Sequence, residues 1–154
     1  GRGDVYKRQR QAMLLGSMLA GQAFANAPVA AVHALAYPLG GHFHVPHGLS
    51  NSLVLPPVLR FNAGAASSLY AQLLDYVKPG VAFLTDADKC NAFIEEMESI
   101  IDDVKLPKTL SVCGVGRQDL QTLDSDAMLQ QRLLVNNPED VTAQDALTIY
   151  NSIY

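Results

Sequence analysis

Between Gln11 and Leu59 this chain carries no Asp, Glu, Lys or Arg, and the same stretch holds all four of its histidines, His33, His42, His44 and His47. An imidazole is costly to bury without a partner. Gathering every copy in the least charged third of the chain therefore demands a compensating interaction. Neutral imidazole is the commonest side-chain metal ligand, so a buried metal site is the first reading this pattern raises. Hydrogen-bonded core histidines are the bland alternative.

Composition narrows the class further. With 154 residues, 49% of them hydrophobic and 17% charged, the chain has the balance of one packed domain. Its net charge is −4 and its eleven basic residues are scattered, which leaves no surface for tracking phosphates and argues against a nucleic-acid partner. The uncharged stretch is interrupted by Gln22, Asn26, Pro28, His33, Pro38, Gly40 and Gly41. No run of about 20 apolar residues survives, so no membrane span is expected. Cys90 and Cys113 have no CxxC spacing and read as reduced, small hydrophobes of a cytoplasmic protein.

Residues 1–9 are polar, lack an initiator Met and change character abruptly near Arg10. They read as a non-native junction, set aside from the fold, and the domain is taken as residues 10–154 of something longer.

From Arg10 to Asn26 small and apolar residues dominate without strand-like alternation, which predicts a helix. Gly16 and Gly21 inside it suggest close approach of another backbone. Asn26-Ala27-Pro28 ends it. A second helix is expected from about Val29 to Tyr37, stopping before Pro38, with Pro38-Leu39-Gly40-Gly41 as a turn. His42 and His44 then fall on a loop, and Pro46 opens a third helix with His47 in its first turn. That helix is expected to end near Arg60-Phe61-Asn62. Leu69, Leu73 and Val77 recur at helical spacing, with Tyr70 and Leu74 beside them, and Lys78-Pro79-Gly80 closes the segment. Thr85 or Asp86 caps a helix bearing Phe93, Ile94, Met97, Ile100 and Ile101. Leu106-Pro107-Lys108 is a break, and Arg117 to Gln130 reads as helix. Asn136-Asn137-Pro138 is a turn, and Thr142 with Asp145 forms a capping box before a last helix. The fold class is all-α, a multi-helix bundle with the histidines on its most buried pair of helices.

His33 and His47 lie on adjoining helices that the intervening turn can fold together, so both rings can approach one ion. A helix N-terminus disfavours an imidazolium at His47 and keeps that ring available as a ligand.

Three blocks of residues carry a family resemblance: Gly21-Gln22-Ala23-Phe24-Ala25-Asn26-Ala27, then Ala31 to Gly41 with His33 inside it, then Val45-Pro46-His47-Gly48-Leu49-Ser50-Asn51. Together they resemble the metal-binding signature of iron-containing alcohol dehydrogenases. The tail Leu133 to Pro138, followed by Val141 to Asp145, is similar to that family's ending.

The resemblance implies an all-α C-terminal domain whose metal is held by one Asp and three His. The last two ligands match His33 and His47. It also implies an N-terminal nucleotide-binding domain that is absent here. No Asp-x-x-x-His and no Gly-rich dinucleotide loop occurs in the chain. Many members carry a third histidine near the nicotinamide, where this chain has Tyr37. The Tyr37 hydroxyl then either lines the pocket as a catalytic candidate or simply packs. His42 and His44 match no family role and are expected to be exposed.

What the resemblance implies chemically is interconversion of an alcohol with an aldehyde or ketone. Fe²⁺, or Zn²⁺ in its place, acts as Lewis acid and NAD(P) supplies the redox chemistry. A homodimer is in keeping with the family. Two other readings stay open: a maleylacetate reductase-like relative, and a non-catalytic helical interaction module.

Overall fold

The structure is a computed structural model and describes residues 2–80 and 85–154. Gly1, the first residue of the expected junction, lies outside the described residues. Among them every regular element is a helix, in the order α1 (Arg2–Asn26), α2 (Ala31–Phe43), α3 (His47–Val77), α4 (Asp86–Asp103), α5 (Leu120–Met128), α6 (Gln131–Leu134) and α7 (Ala143–Ser152). Short 3₁₀ turns at Ser111–Cys113 and Arg117–Asp119 join α4 to α5. No helix is long and apolar enough to cross a membrane among the described residues.

α2 is the centre of the bundle. Ala31, Ala34, Leu35, Ala36 and Leu39 are all but inaccessible, and they pack in one apolar cluster with Leu53, Val54, Leu123, Ala146 and Tyr150. A second cluster lies between the far half of α3 and α4, built from Tyr70, Leu74, Phe93 and Ile94. Capping boxes start the two amphipathic helices at their expected places: Thr85 with Asp88 opens α4, and Thr142 with Asp145 opens α7.

Several boundaries move. α1 begins at Arg2 rather than Arg10, because no proline interrupts the polar residues and the helix runs straight through the change in composition. It is not buried: every residue from 3 to 28 is exposed, and nothing stands within 4 Å of where a Cβ on Gly16 or Gly21 would lie. The small residues of α1 therefore mark no close approach within this chain.

α2 does not stop before Pro38 but continues to Phe43. A proline inside a helix forfeits one backbone hydrogen bond, and here burial of Ala36, Pro38 and Leu39 on the same helix outweighs that loss. Pro38 to Gly41 is thus helix, and the reversal falls at His44, whose φ is 53°. α3 likewise runs through Pro56, Pro57 and Asn62 to Val77. Asn62 is buried inside it and exchanges hydrogen bonds with Asn137, Nδ2 to Oδ1 in both directions at 3.0 and 2.7 Å. That partner, 75 residues away, keeps the amide from breaking the helix. Further along α3, Leu69, Leu73 and Val77 face out, while Tyr70 and Leu74 take the buried side against α4. Both cysteines are free thiols, Cys90 buried and Cys113 half-buried.

Candidate metal centre

The turn between α2 and α3 is short and fixed at both ends. The His44 N–H reaches the Gly40 carbonyl at 3.1 Å and the Val45 N–H reaches Leu39 at 3.4 Å, which closes α2 with a left-handed residue. Val45 is buried, and the Ser50 hydroxyl donates to its carbonyl at 3.2 Å. α3 then begins at His47 itself. Folding back this tightly brings the first turn of α3 against the middle of α2.

Three rings meet there. The centres of His33 and His47 lie 5.3 Å apart, with planes inclined at 55°. Tyr37, one turn beyond His33, stands 6.2 Å from each of them, edge-on to His33. Two imidazoles bound to one ion by metal–nitrogen bonds of about 2.1 Å at a tetrahedral angle have ring centres about 5.3 Å apart. The pair fits two corners of such a site, and neutral nitrogen donors suit iron or zinc. His33 is half-buried, and His47 and Tyr37 are exposed, so the pair opens toward the surface. Desolvation, and after it the neighbouring His47, lower the pKa of His33 from its ordinary value. Both causes favour the neutral, ligating form.

No group of three or more His, Cys, Asp or Glu gathers to hold a metal among the described residues. The arrangement is a pair of imidazoles, open to the surface, that no carboxylate joins among the described residues.

Sequence reasoning overlooked Asn51, although it lies one turn from His47 on the same helix face. Its Nδ2 is 3.3 and 3.2 Å from the two ring nitrogens of His47 and donates to the His47 carbonyl at 2.8 Å. Its Oδ1 is buried with no hydrogen-bond partner. Of the remaining histidines, His44 lies between α2 and α3 as expected, whereas His42 does not fall on a loop. His42 sits in the last turn of α2, with Nε2 bonded at 2.5 Å to Asp126 Oδ2 of α5. His44 is the residue that terminates α2.

The family model described as Fe-containing alcohol dehydrogenase, C-terminal, matches residues 4–154. The chain belongs to the iron-containing alcohol dehydrogenase family. Long-chain-alcohol dehydrogenase 1 of Geobacillus thermodenitrificans is 39% identical over 148 residues, which cover 96% of this chain and 38% of that protein. 4-hydroxybutyrate dehydrogenase of Clostridium kluyveri is 35% identical, over 92% of this chain and 37% of that protein. A crystal structure of 1,3-propanediol oxidoreductase superposes with a TM-score of 0.85 at 30% identity, covering 90% of this chain and 36% of the other. An alcohol dehydrogenase from Oenococcus oeni gives 0.83 at 31% identity, covering 89% and 36%. The chain therefore spans little more than a third of the length of these iron-containing alcohol dehydrogenases. The helical bundle is the portion they share with it.

Proposed function

We propose that this chain is the metal-holding helical part of an NAD(P)-dependent alcohol dehydrogenase that interconverts an alcohol with an aldehyde or ketone. The observation that carries the reading is the 5.3 Å approach of His33 to His47 across the α2–α3 turn. The printed names of the relatives support the substrate class: a long-chain alcohol, 4-hydroxybutyrate and 1,3-propanediol are aliphatic molecules bearing a hydroxyl. Free thiols at Cys90 and Cys113 suit a reducing, cytoplasmic setting.

In this reading His33 and His47 supply two of the metal's ligands, and a nucleotide-binding domain outside these residues supplies the others. When bound, Fe²⁺ (or Zn²⁺ in its place) gives Lewis acidity toward the alcohol oxygen, and the nicotinamide exchanges the hydride. The chain's own residues prepare that site. Burial, and after it His47, lower the pKa of His33 and favour its neutral ring. His47 opens α3, and the Asn51 amide stands within hydrogen-bond distance of its ring nitrogens. Tyr37 presents its ring beside both histidines and lines the open side. The His42–Asp126 pair ties the end of α2 to α5 and limits how far the turn can open.

Metal analysis of the full-length protein tests the reading. His33→Ala and His47→Ala are each expected to lose bound iron while the helical content is retained. Full metal occupancy in both variants would remove the basis of the proposal.

A further inference from the structure

α1 has no side turned to this chain's own core. Met13, Leu14, Leu15, Met18, Leu19 and Phe24 are each more than half exposed. At 100° per residue these six side chains spread over about two thirds of the helix circumference. The remaining third carries Ala12, Gly16, Ala20 and Ala23. No residue from Gln11 to Asn26 is charged. Its amides, Gln11, Gln22 and Asn26, fall among Leu15, Met18 and Leu19 rather than on a side of their own. This stretch has no face built for water.

A helix that is apolar all round belongs in a protein core or in a membrane. The membrane is set aside by length: the uncharged part of α1 rises about 24 Å, short of the roughly 30 Å of a bilayer core. No helix among the described residues is long and apolar enough to span one. Packing is nevertheless required, because a helix of this size draws most of its stability from tertiary contacts. Gly16 and Gly21 weaken it further.

The geometry also limits what can supply that packing. A second copy in a two-fold pair would meet α1 along one side, leaving the others wet. A charged partner would find no countercharge on it. Only Ala27 to Ala30 separate α1 from α2, the centre of the bundle, so the cover must be held against that bundle from several directions. The relatives contain enough chain to do this, since these residues cover only 38% and 37% of the two dehydrogenases named above.

We infer that α1 is a core helix of the longer protein, enclosed on every side by apolar segments of that same protein outside these 154 residues. The inference rests on the reading of the chain as part of a longer dehydrogenase. It adds a specific role: α1 is the surface through which the rest of the protein is held against the helix that carries His33.

The experiment is thiol labelling of the full-length protein bearing Met13→Cys, Leu14→Cys or Leu19→Cys, three positions that point in well-separated directions around α1. Each is expected to react with a maleimide at least about 100-fold more slowly in native buffer than in denaturant, and dilution to nanomolar protein should not change this. In the unaltered full-length protein, which avoids any loss of folding in the variants, the amides from Met13 to Ala25 should exchange slowly with solvent. Fast labelling at all three positions, or amide exchange within seconds, would overturn the inference. So would protection at one position alone, which would mean a partner on a single side, and protection lost on dilution, which would mean a second copy. Neither readout involves metal or turnover. Their failure therefore leaves iron binding at His33 and His47 to stand or fall by itself.

Discussion

The Tyr150 hydroxyl of α7 donates to the Leu35 carbonyl of α2 at 2.7 Å, across 115 residues of chain and with both residues fully buried. Leu35 lies between His33 and Tyr37, so this bond fixes the helix that carries half of the candidate centre. Burial first, then the carboxylates of Asp124 and Asp126, push the Tyr150 pKa far up and keep the hydroxyl a donor. Tyr150→Phe preserves the ring and removes the bond. The expected cost is about 1 kcal/mol of stability, read as a lower denaturant midpoint at unchanged m-value. A midpoint equal to that of the parent would show that the bond does not secure α2.

Asn62 and Asn137 form another long-range polar tie, two amides bonding to each other at 3.0 and 2.7 Å. Asn137→Ala strands the buried amide of Asn62, whereas Asn62→Ala leaves the half-buried Asn137 its bond to the Glu139 carbonyl, so both should destabilise the fold and the first by more. The double replacement should cost less than the sum of the two. A double-mutant cycle is expected to give a coupling of about 1 to 2 kcal/mol. Additive losses would mean that the pair acts only as packing.

The sequence pointed to the all-α class, to the Thr142–Asp145 capping box, to a cap at Thr85 or Asp86 and to the approach of His33 to His47, because each depends on spacing along one or two adjoining helices. It misplaced what depends on distant partners. Pro38 and Pro56-Pro57 look like stops, yet α2 and α3 run through them. Asn62 looks like a helix end until Asn137 is known to sit opposite. Leu69, Leu73 and Val77 make a stripe as regular as the one containing Tyr70 and Leu74, and only the position of α4 decides which is buried. That His33 and His47 would lie together was visible through motif residues, while Asn51 and the His42–Asp126 pair needed the fold.

α1 presents Met13, Leu14, Met18 and Phe24 to solvent on more than one side. Apolar surface on this scale drives association. The purified 154-residue chain is expected to bind a hydrophobic dye and to sediment as more than a monomer. Replacing Leu14 and Met18 by Glu should reduce both signals while leaving the α2 core intact. Unchanged association in that variant would place the sticky surface elsewhere.

The shifted pKa of His33 gives the fold a pH dependence of definite sign. Burial, and after it His47, hold the folded-state pKa below the ordinary 6.5. As pH falls through 6.5, the unfolded chain takes up the proton first. The stability tied to neutral His33 is therefore complete above 6.5 and is lost between 6.5 and the lower folded-state pKa. Denaturant midpoints on either side of 6.5 should show this loss, and His33→Gln should flatten it. An identical slope in the variant would assign the dependence to other groups.

Iron should bind weakly to this chain alone. His33 and His47 offer two imidazoles, and no third His, Cys, Asp or Glu joins them among the described residues. Without a carboxylate, nothing lowers the net charge of a bound divalent cation, and the remaining positions fall to exchangeable water. After dialysis against metal-free buffer the purified chain is expected to retain far less than one iron per molecule. It should show no NAD(P)-dependent oxidation of an alcohol such as 1,3-propanediol. Supplying the missing ligands in the full-length protein should restore both properties together. Stoichiometric iron in the 154-residue chain would mean that further donors of these helices complete the site with the two imidazoles, and turnover by it would mean that these helices also bind the nicotinamide.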